Sequence, residues 1–364
     1  MPCGRQTRCF LEILNTKFEI LIIDRLAAEN RTHYDVVVTR FQKVAAAASV
    51  AVIVLIFVGS IVRATGSGMG CPDWPTCWGC LIPPTSVDQI DTSKLDIEKY
   101  RRRAARHGID PETITEESVI NEFNPTHTWV EYINRLTSLP VSLLTLATFI
   151  MAFWQAKKRP VILIVSAVAL VLLLANAWMG AQIVFSGLKP GIITIHMAMA
   201  ILQLCLLVYV AWRGCDEPWR MPKSCRNGGL RKITMFLFVL VLVEGVLGSQ
   251  VREKTDALKN THEFAPRSEW VGELEQSTTY LMHRSGSWLI LLVAGMFFLR
   301  CMRNQTGAAW LERVIVGIVL AQMCLGLILS QVGILPIAQV LHIGLSSILV
   351  SALVLWLLAL RRHA

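Results

Sequence analysis

Three histidines and one asparagine stand at corresponding places in a chain that repeats itself. Gly180-AQIVFSGLKPGIITI-His196 aligns with Gly326-LILSQVGILPIAQVL-His342, and Pro190 and Pro336 each lie six residues before the histidine. Upstream, Glu131-Tyr-Ile-Asn134-Arg135 aligns with Tyr280-Leu-Met-His283-Arg284, and Gly59-Ser-Ile-Val-Arg63 aligns with Gly248-Ser-Gln-Val-Arg252. The offsets are 146, 149 and 189, so the order is kept and only one connection differs greatly in length. A lone histidine in an apolar stretch commonly just hydrogen-bonds across helices. Two at matching depth on facing helices are how a helix bundle holds a haem iron from both sides, and His283 with His342 fits that pattern. A bare metal ion is disfavoured, because no third His, Cys or carboxylate lies at that depth.

The first repeat differs. Asn134 takes the place of His283, leaving His196 as the aligned imidazole. Asparagine is a poor iron ligand, so this half is expected to hold a porphyrin with one protein ligand and one open position. An open position suits a substrate or a reactive oxygen species; two strong ligands suit electron transfer. His127, seven residues before Asn134, would share its helix face if that helix starts early; otherwise it is a loop histidine. Glu131 is three residues from Asn134 and four from Arg135, so all three can cluster on one side of a helix. It is either a structural ion pair with Arg135 or a carboxylate that accepts or relays protons beside the iron. Tyr280 replaces it in the second repeat, so the carboxylate accompanies the open position. Arg135 and Arg284 each suit a haem propionate, fork to carboxylate. Glu244 lies mid-span with no evident partner and reads as structural or as part of a proton path. Charged groups in hydrocarbon cost about 2.5–3.5 kcal/mol each on insertion scales, which is why this short list matters.

The elements that position these residues are membrane helices. Of 364 residues, 54% are hydrophobic and only 17% charged, and the mean hydropathy is +0.51. That excludes a disordered chain, a nucleic-acid-binding basic protein and an ordinary cytosolic enzyme. A bilayer requires about 20 consecutive apolar residues per helix. Eight such spans are predicted, at 43–62, 129–153, 160–184, 194–212, 232–250, 280–300, 311–330 and 337–360. The fold class is therefore an all-α integral membrane protein with eight transmembrane helices in two tandem four-helix bundles, related by a parallel internal repeat. The first bundle is 43–212, with a long outer loop at 63–128. A linker at 213–231 leads to the second bundle at 232–364.

Short loops on one side carry Lys157, Lys158, Arg159, Arg213, Arg220, Lys223, Arg226, Arg231, Lys232, Arg300, Arg303 and Arg313, and the tail adds Arg361 and Arg362. The short loops opposite carry only Lys189. Both termini are thus predicted to be cytoplasmic, and the net charge of +9 reflects topology rather than a nucleic acid. Asn134, His196, His283 and His342 then all lie near the outer face. The long outer loop mixes ten acidic with seven basic residues and reads as a solvated face. Residues 1–42, a predicted cytoplasmic segment, contain FEILIIDRLAAEN, a candidate short amphipathic helix of no assigned function.

After the first span comes Arg63-ATGSGMG-Cys71-PDWPT-Cys77-WG-Cys80, turn-dense and facing an oxidising compartment. Cys71 and Cys77 can form a disulfide there, with Cys80 as a competing partner and zinc binding as the alternative.

Taken together, Gly59-SIVRATGSGMGCPDWP, Glu131-YINRL, Gly187-LKPGIITIH, Gly248-SQVRE, His283-Arg284 and His342 resemble the haem A synthase family of respiratory membranes, over about 40–360. The resemblance implies oxidation of the C8 methyl group of haem O to formyl, through successive hydroxylations to a geminal diol that loses water. It implies a permanent haem b held by His283 and His342. It also implies a substrate haem O on His196, a catalytic Glu131 and a Cys71–Cys77 disulfide. Many family members carry His where this chain has Asn134. Single ligation, water or another side chain must then serve, and Asn134 is expected to orient an iron-bound water or substrate group. The resemblance favours a bacterial inner membrane over a mitochondrial one. Pathway logic adds a haem O-making prenyltransferase and an electron-transfer partner; homo-oligomerisation is left open. The competing readings are a di-haem cytochrome b-type electron carrier and a transporter.

Overall fold

The computed structural model of the chain describes residues 38–106, 110–188, 191–222, 228–262 and 265–361. The predicted amphipathic segment within 1–37, Lys189, Pro190, residues 223–227 of the linker and Arg362 of the tail lie outside them. Eleven α-helices are described: α1 Arg40–Ala64, α2 Ile97–Arg106, α3 Glu116–Asn121, α4 Pro125–Ala156, α5 Pro160–Phe185, α6 Ile192–Arg213, α7 Gly228–Thr261, α8 Arg267–Glu275, α9 Thr278–Asn304, α10 Ala309–Leu327 and α11 Pro336–Ala359. No strand occurs among the described residues.

Helix starts are set by local chemistry. Thr39 and Gln42 form a reciprocal capping box on α1. The Asn124 side chain caps α4, whose first residue is Pro125, and Ser277 caps α9. Pro336 opens α11. The helices that carry Asn134, His283 and His342 therefore start at defined points, which sets the depth of those residues.

Among the described residues, seven helices are long and apolar enough to cross a bilayer: α1, α4, α5, α6, α9, α10 with its π-helical extension to Val332, and α11. Their outward faces are apolar. Leu143, Ile164, Val171, Leu174 and Leu292 stand 60–67% exposed, an arrangement that only lipid tolerates. The chain is a multi-pass membrane protein. The predicted fifth span falls within α7, a helix of 34 residues. Its apolar run is followed by about three further, largely polar turns, to Thr261, where the hydropathy pattern predicts a loop. Arg252, Glu253, Lys254, Ala257, Leu258 and Lys259 are good helix formers, and Arg252 pairs with Asp256 at i,i+4 (3.0 Å). The other long connection also carries more helix than predicted, in α2 and α3.

The helices pack in two rings. In one, α1 contacts α4, α4 contacts α5, α5 contacts α6, and α6 returns to α1; in the other, α7, α9, α10 and α11 do the same. The rings dock through α11 against α1 and α6, and through α6 against α7. The closest point is Gly344 on α11, where a Cβ would collide with the Phe57 ring of α1. Deeper in the second ring, Phe297 meets Trp356 edge to face, centroids 5.3 Å apart.

Gly344→Leu is expected to force the rings apart and destabilise the protein by about 1–3 kcal/mol, the usual cost of overpacking. Thermal unfolding in detergent checks this, and adding Phe57→Ala in the same chain should recover part of the loss.

Candidate functional site

Four residues near the loop-bearing end of the rings each face a glycine on the neighbouring helix. A Cβ on Gly59 of α1 would lie 3.6 Å from Asn134 Oδ1, and one on Gly180 of α5 would lie 3.8 Å from His196 Cε1. A Cβ on Gly248 of α7 would lie 3.1 Å from His283 Cε1, and one on Gly326 of α10 would lie 3.8 Å from His342 Cε1. The sequence alignment had paired these glycines without giving them a role. In the fold each is the flat spot that lets an imidazole or amide approach the next helix.

In the second ring, the centroids of His283 and His342 are 6.4 Å apart, with ring planes at 85°. Two collinear metal–imidazole bonds of about 2.0–2.1 Å, plus the radius of each ring, separate the ring centres by about 6.3 Å. The centroid spacing matches that of two imidazoles sharing one metal. Among the described residues no group of three or more His, Cys, Asp or Glu comes together. His342 Nδ1 is buried without a hydrogen-bond partner. Gln322 of α10 donates to the His342 backbone carbonyl (2.8 Å).

Glu244 is where the sequence reading needs correction. It has partners: its Oε1 lies 3.0 Å from His283 Nδ1 and accepts from Ser287 Oγ at 2.7 Å. The 3.0 Å contact does not meet hydrogen-bond geometry as the ring stands. A Cβ on Gly286 would collide with the same carboxylate.

In the first ring, His196 meets Asn176 of α5. With its nitrogen turned toward α6, that amide donates to the His196 carbonyl (3.1 Å) and Nδ1 (3.2 Å) and accepts from Ala200 N (3.1 Å). Asn134 contributes no imidazole. Its Oδ1 is buried and unpaired, an acceptor with nothing to accept.

Glu131, only 4% exposed, is tied down on both oxygens. Oε2 accepts from Cys71 N (2.8 Å), and Oε1 accepts from Arg135 Nη2 (2.6 Å). Arg135 in turn donates to three carbonyls of the same loop: Asp73 (2.7 Å), Thr76 (2.9 Å) and Cys71 (3.1 Å). That loop is closed by the Cys71–Cys77 disulfide, and Cys80 is free. The competition among the three cysteines is thus resolved, with Cys80 instead exchanging backbone hydrogen bonds with Cys77 (2.9 and 3.2 Å). Gly70 approaches the His127 carbonyl so closely that a Cβ there would collide. Trp78 Nε1 donates to Gly70 O (2.8 Å). The loop therefore lies across the start of α4 and is moored there by Glu131 and Arg135. Of the two expected roles of Glu131, the ion pair is present. Every hydrogen bond described for the Arg135 guanidinium runs to Glu131 or to the loop. Arg284 is exposed, and His127 sits half-buried in the first turn of α4.

The chain is similar to known proteins over most of its length. A family model described as cytochrome oxidase assembly protein (COX15-CtaA) matches residues 42–354. The chain is 23% identical over 337 residues to a protein of Shewanella oneidensis named "Heme A synthase", covering 83% of this chain and 91% of that one. A protein of the same name from Methylobacterium radiotolerans is 27% identical over 301 residues, covering 76% and 78%. Another from Bartonella bacilliformis is 27% identical over 206 residues, about half of each chain (54% and 53%).

Arg135→Ala would strand Glu131 as a buried, half-satisfied carboxylate and release three loop carbonyls. We expect a loss of about 3–5 kcal/mol and proteolysis within 71–80 under conditions that spare the native protein. Arg135→Lys, which keeps the charge but loses the planar fork, should restore only part of it.

Proposed function

This chain belongs to the cytochrome oxidase assembly protein family (COX15-CtaA), and from that membership we propose that it is a haem A synthase, oxidising the C8 methyl group of haem O to a formyl group. The observation that carries the reading is an asymmetry. At four equivalent glycine-facing positions, the second ring has two imidazoles 6.4 Å apart, whereas the first has His196 and an asparagine whose Oδ1 is unpaired. Two strong ligands suit a resident centre, and one suits a haem that must enter and leave.

On this reading α7 is the eighth membrane helix, and the rings are two four-helix bundles, 43–212 and 232–364, that arose by duplication. The basic loops face the cytoplasm, and the membrane is the bacterial inner membrane. His283 and His342 hold haem b, which supplies a one-electron redox centre when bound. His196 holds haem O from one side, with Asn176 orienting the imidazole. Asn134 presents its free Oδ1 to a proton-bearing group on the opposite side, a substrate group or a water. Glu131, one turn before Asn134, holds the disulfide loop over this ring and takes up protons released as the methyl group is oxidised by successive hydroxylation. Arg135 holds that carboxylate in place between turnovers, 2.6 Å from its Oε1. Haem O arrives from a prenyltransferase that makes it, and electrons leave through a redox partner.

A di-haem electron carrier is the other reading of the same rings. It would want an imidazole at position 134, where the unpaired asparagine oxygen instead favours a substrate. The two readings separate in an assay of purified protein supplied with haem O, with the haem products identified by mass. The native chain should yield formylated haem, and a carrier would yield none. Glu131→Gln should lower conversion about 10²–10⁴-fold, the usual contribution of a proton-transferring group, while haem b content stays unchanged. Asn134→Ala with full turnover would exclude the role given to that amide.

A further inference from the structure

The glycine-facing pattern extends one helical turn further. Four residues before each glycine, on the same helix, stand Leu55, Asn176, Glu244 and Gln322. Each of the three that accompany a histidine is polar; the one that accompanies Asn134 is leucine. The three polar residues touch their histidines differently. Asn176 and Gln322 use amides, and both bond the backbone carbonyl of the histidine they serve. Asn176 also donates to His196 Nδ1 (3.2 Å), whereas Glu244 offers the ring only an acceptor, 3.0 Å from His283 Nδ1.

The difference matters because an amide can turn over to donate or accept, whereas a carboxylate only accepts. A carboxylate at Nδ1 calls for the tautomer with the proton on Nδ1, and so keeps the Nε2 lone pair available to a metal. Glu244 is also built in rather than incidental. Gly286 leaves the space that its carboxylate fills, and Ser287 donates to its Oε1 at 2.7 Å. No ion pair to a lysine or arginine is described for it. A carboxylate in an apolar bundle with no cation beside it calls for positive charge elsewhere.

We propose that Glu244 is a positioning residue that fixes the tautomer of His283 and lowers the reduction potential of the haem b held there; this rests on the ligation by His283 and His342 proposed above. The carboxylate pulls on the Nδ1 proton and makes the imidazole a stronger donor. Together with its negative charge, that favours ferric over ferrous iron. Haem b is thereby poised as a ready electron donor. No such anchor stands beside His196, whose amide partner can follow the ring as haem O is exchanged.

The test is a redox titration of the haem b absorption band in purified protein. Glu244→Gln keeps the shape but removes the charge, so the potential should move to a more positive value, with a change in the ferric low-spin EPR g values. Ser287→Ala leaves the carboxylate but removes a donor that competes for it, so the potential should move to a more negative value. Shifts of opposite sign support the proposal, because a merely structural role has no reason to produce them. Bound haem with an unchanged potential in both variants overturns it. If Glu244→Gln loses haem b altogether, Ser287→Ala decides alone: a negative shift supports the proposal, and no shift overturns it. Failure of the underlying ligation would look different, since His283→Ala would then leave the spectrum of the native chain unchanged.

Discussion

Close approach of neighbouring helices at glycine is the constraint on which the rest depends. An imidazole can reach the middle of a four-helix ring at a set height only if the adjacent helix offers no side chain there. Gly248 is the tightest case: a Cβ would sit 3.1 Å from His283 Cε1, closer than side chains normally pack. Gly180 and Gly326 leave slightly more room, 3.8 Å to their histidines. Because the two rings repeat the device, equivalent residues lie at equivalent depth. Asn134 faces Gly59 just as the three histidines face their glycines, so the first ring differs from the second in side chain at this position.

The two buried carboxylates illustrate how environment separates roles. Glu131 is held by a guanidinium and a backbone N–H, and through them it moors the disulfide-closed loop to α4. Glu244 has a hydroxyl and an imidazole instead. One is tied to the disulfide loop over the first ring, the other to an imidazole of the second. Each sits where the aligned position of the other half has a different residue, Tyr280 in place of Glu131 and Leu55 in place of Glu244.

Much of this was legible in the residues. Spans of this hydropathy can only be membrane helices, and the repeat itself exposed the four equivalent positions, since His283 and His342 stand out once they align with Asn134 and His196. Other features were not legible, because they depend on which helix faces which. The partner of Glu244 is 39 residues away on α9, and no spacing rule reaches that far. The grip of Arg135 on the loop carbonyls needed the loop's path across α4. The polar last third of α7 is not legible as helix because hydropathy marks where the apolar run stops, whereas helix propensity and the Arg252–Asp256 pair carry the helix onward.

The most direct measurement is the haem b content per chain of purified protein, by pyridine haemochrome, in the native form and with His283, His342 or His196 replaced by alanine. The account predicts close to one haem b per chain in the native protein, its loss on replacing His283 or His342, and its retention on replacing His196. Haem b retained without His283 and His342, or lost only without His196, would contradict it.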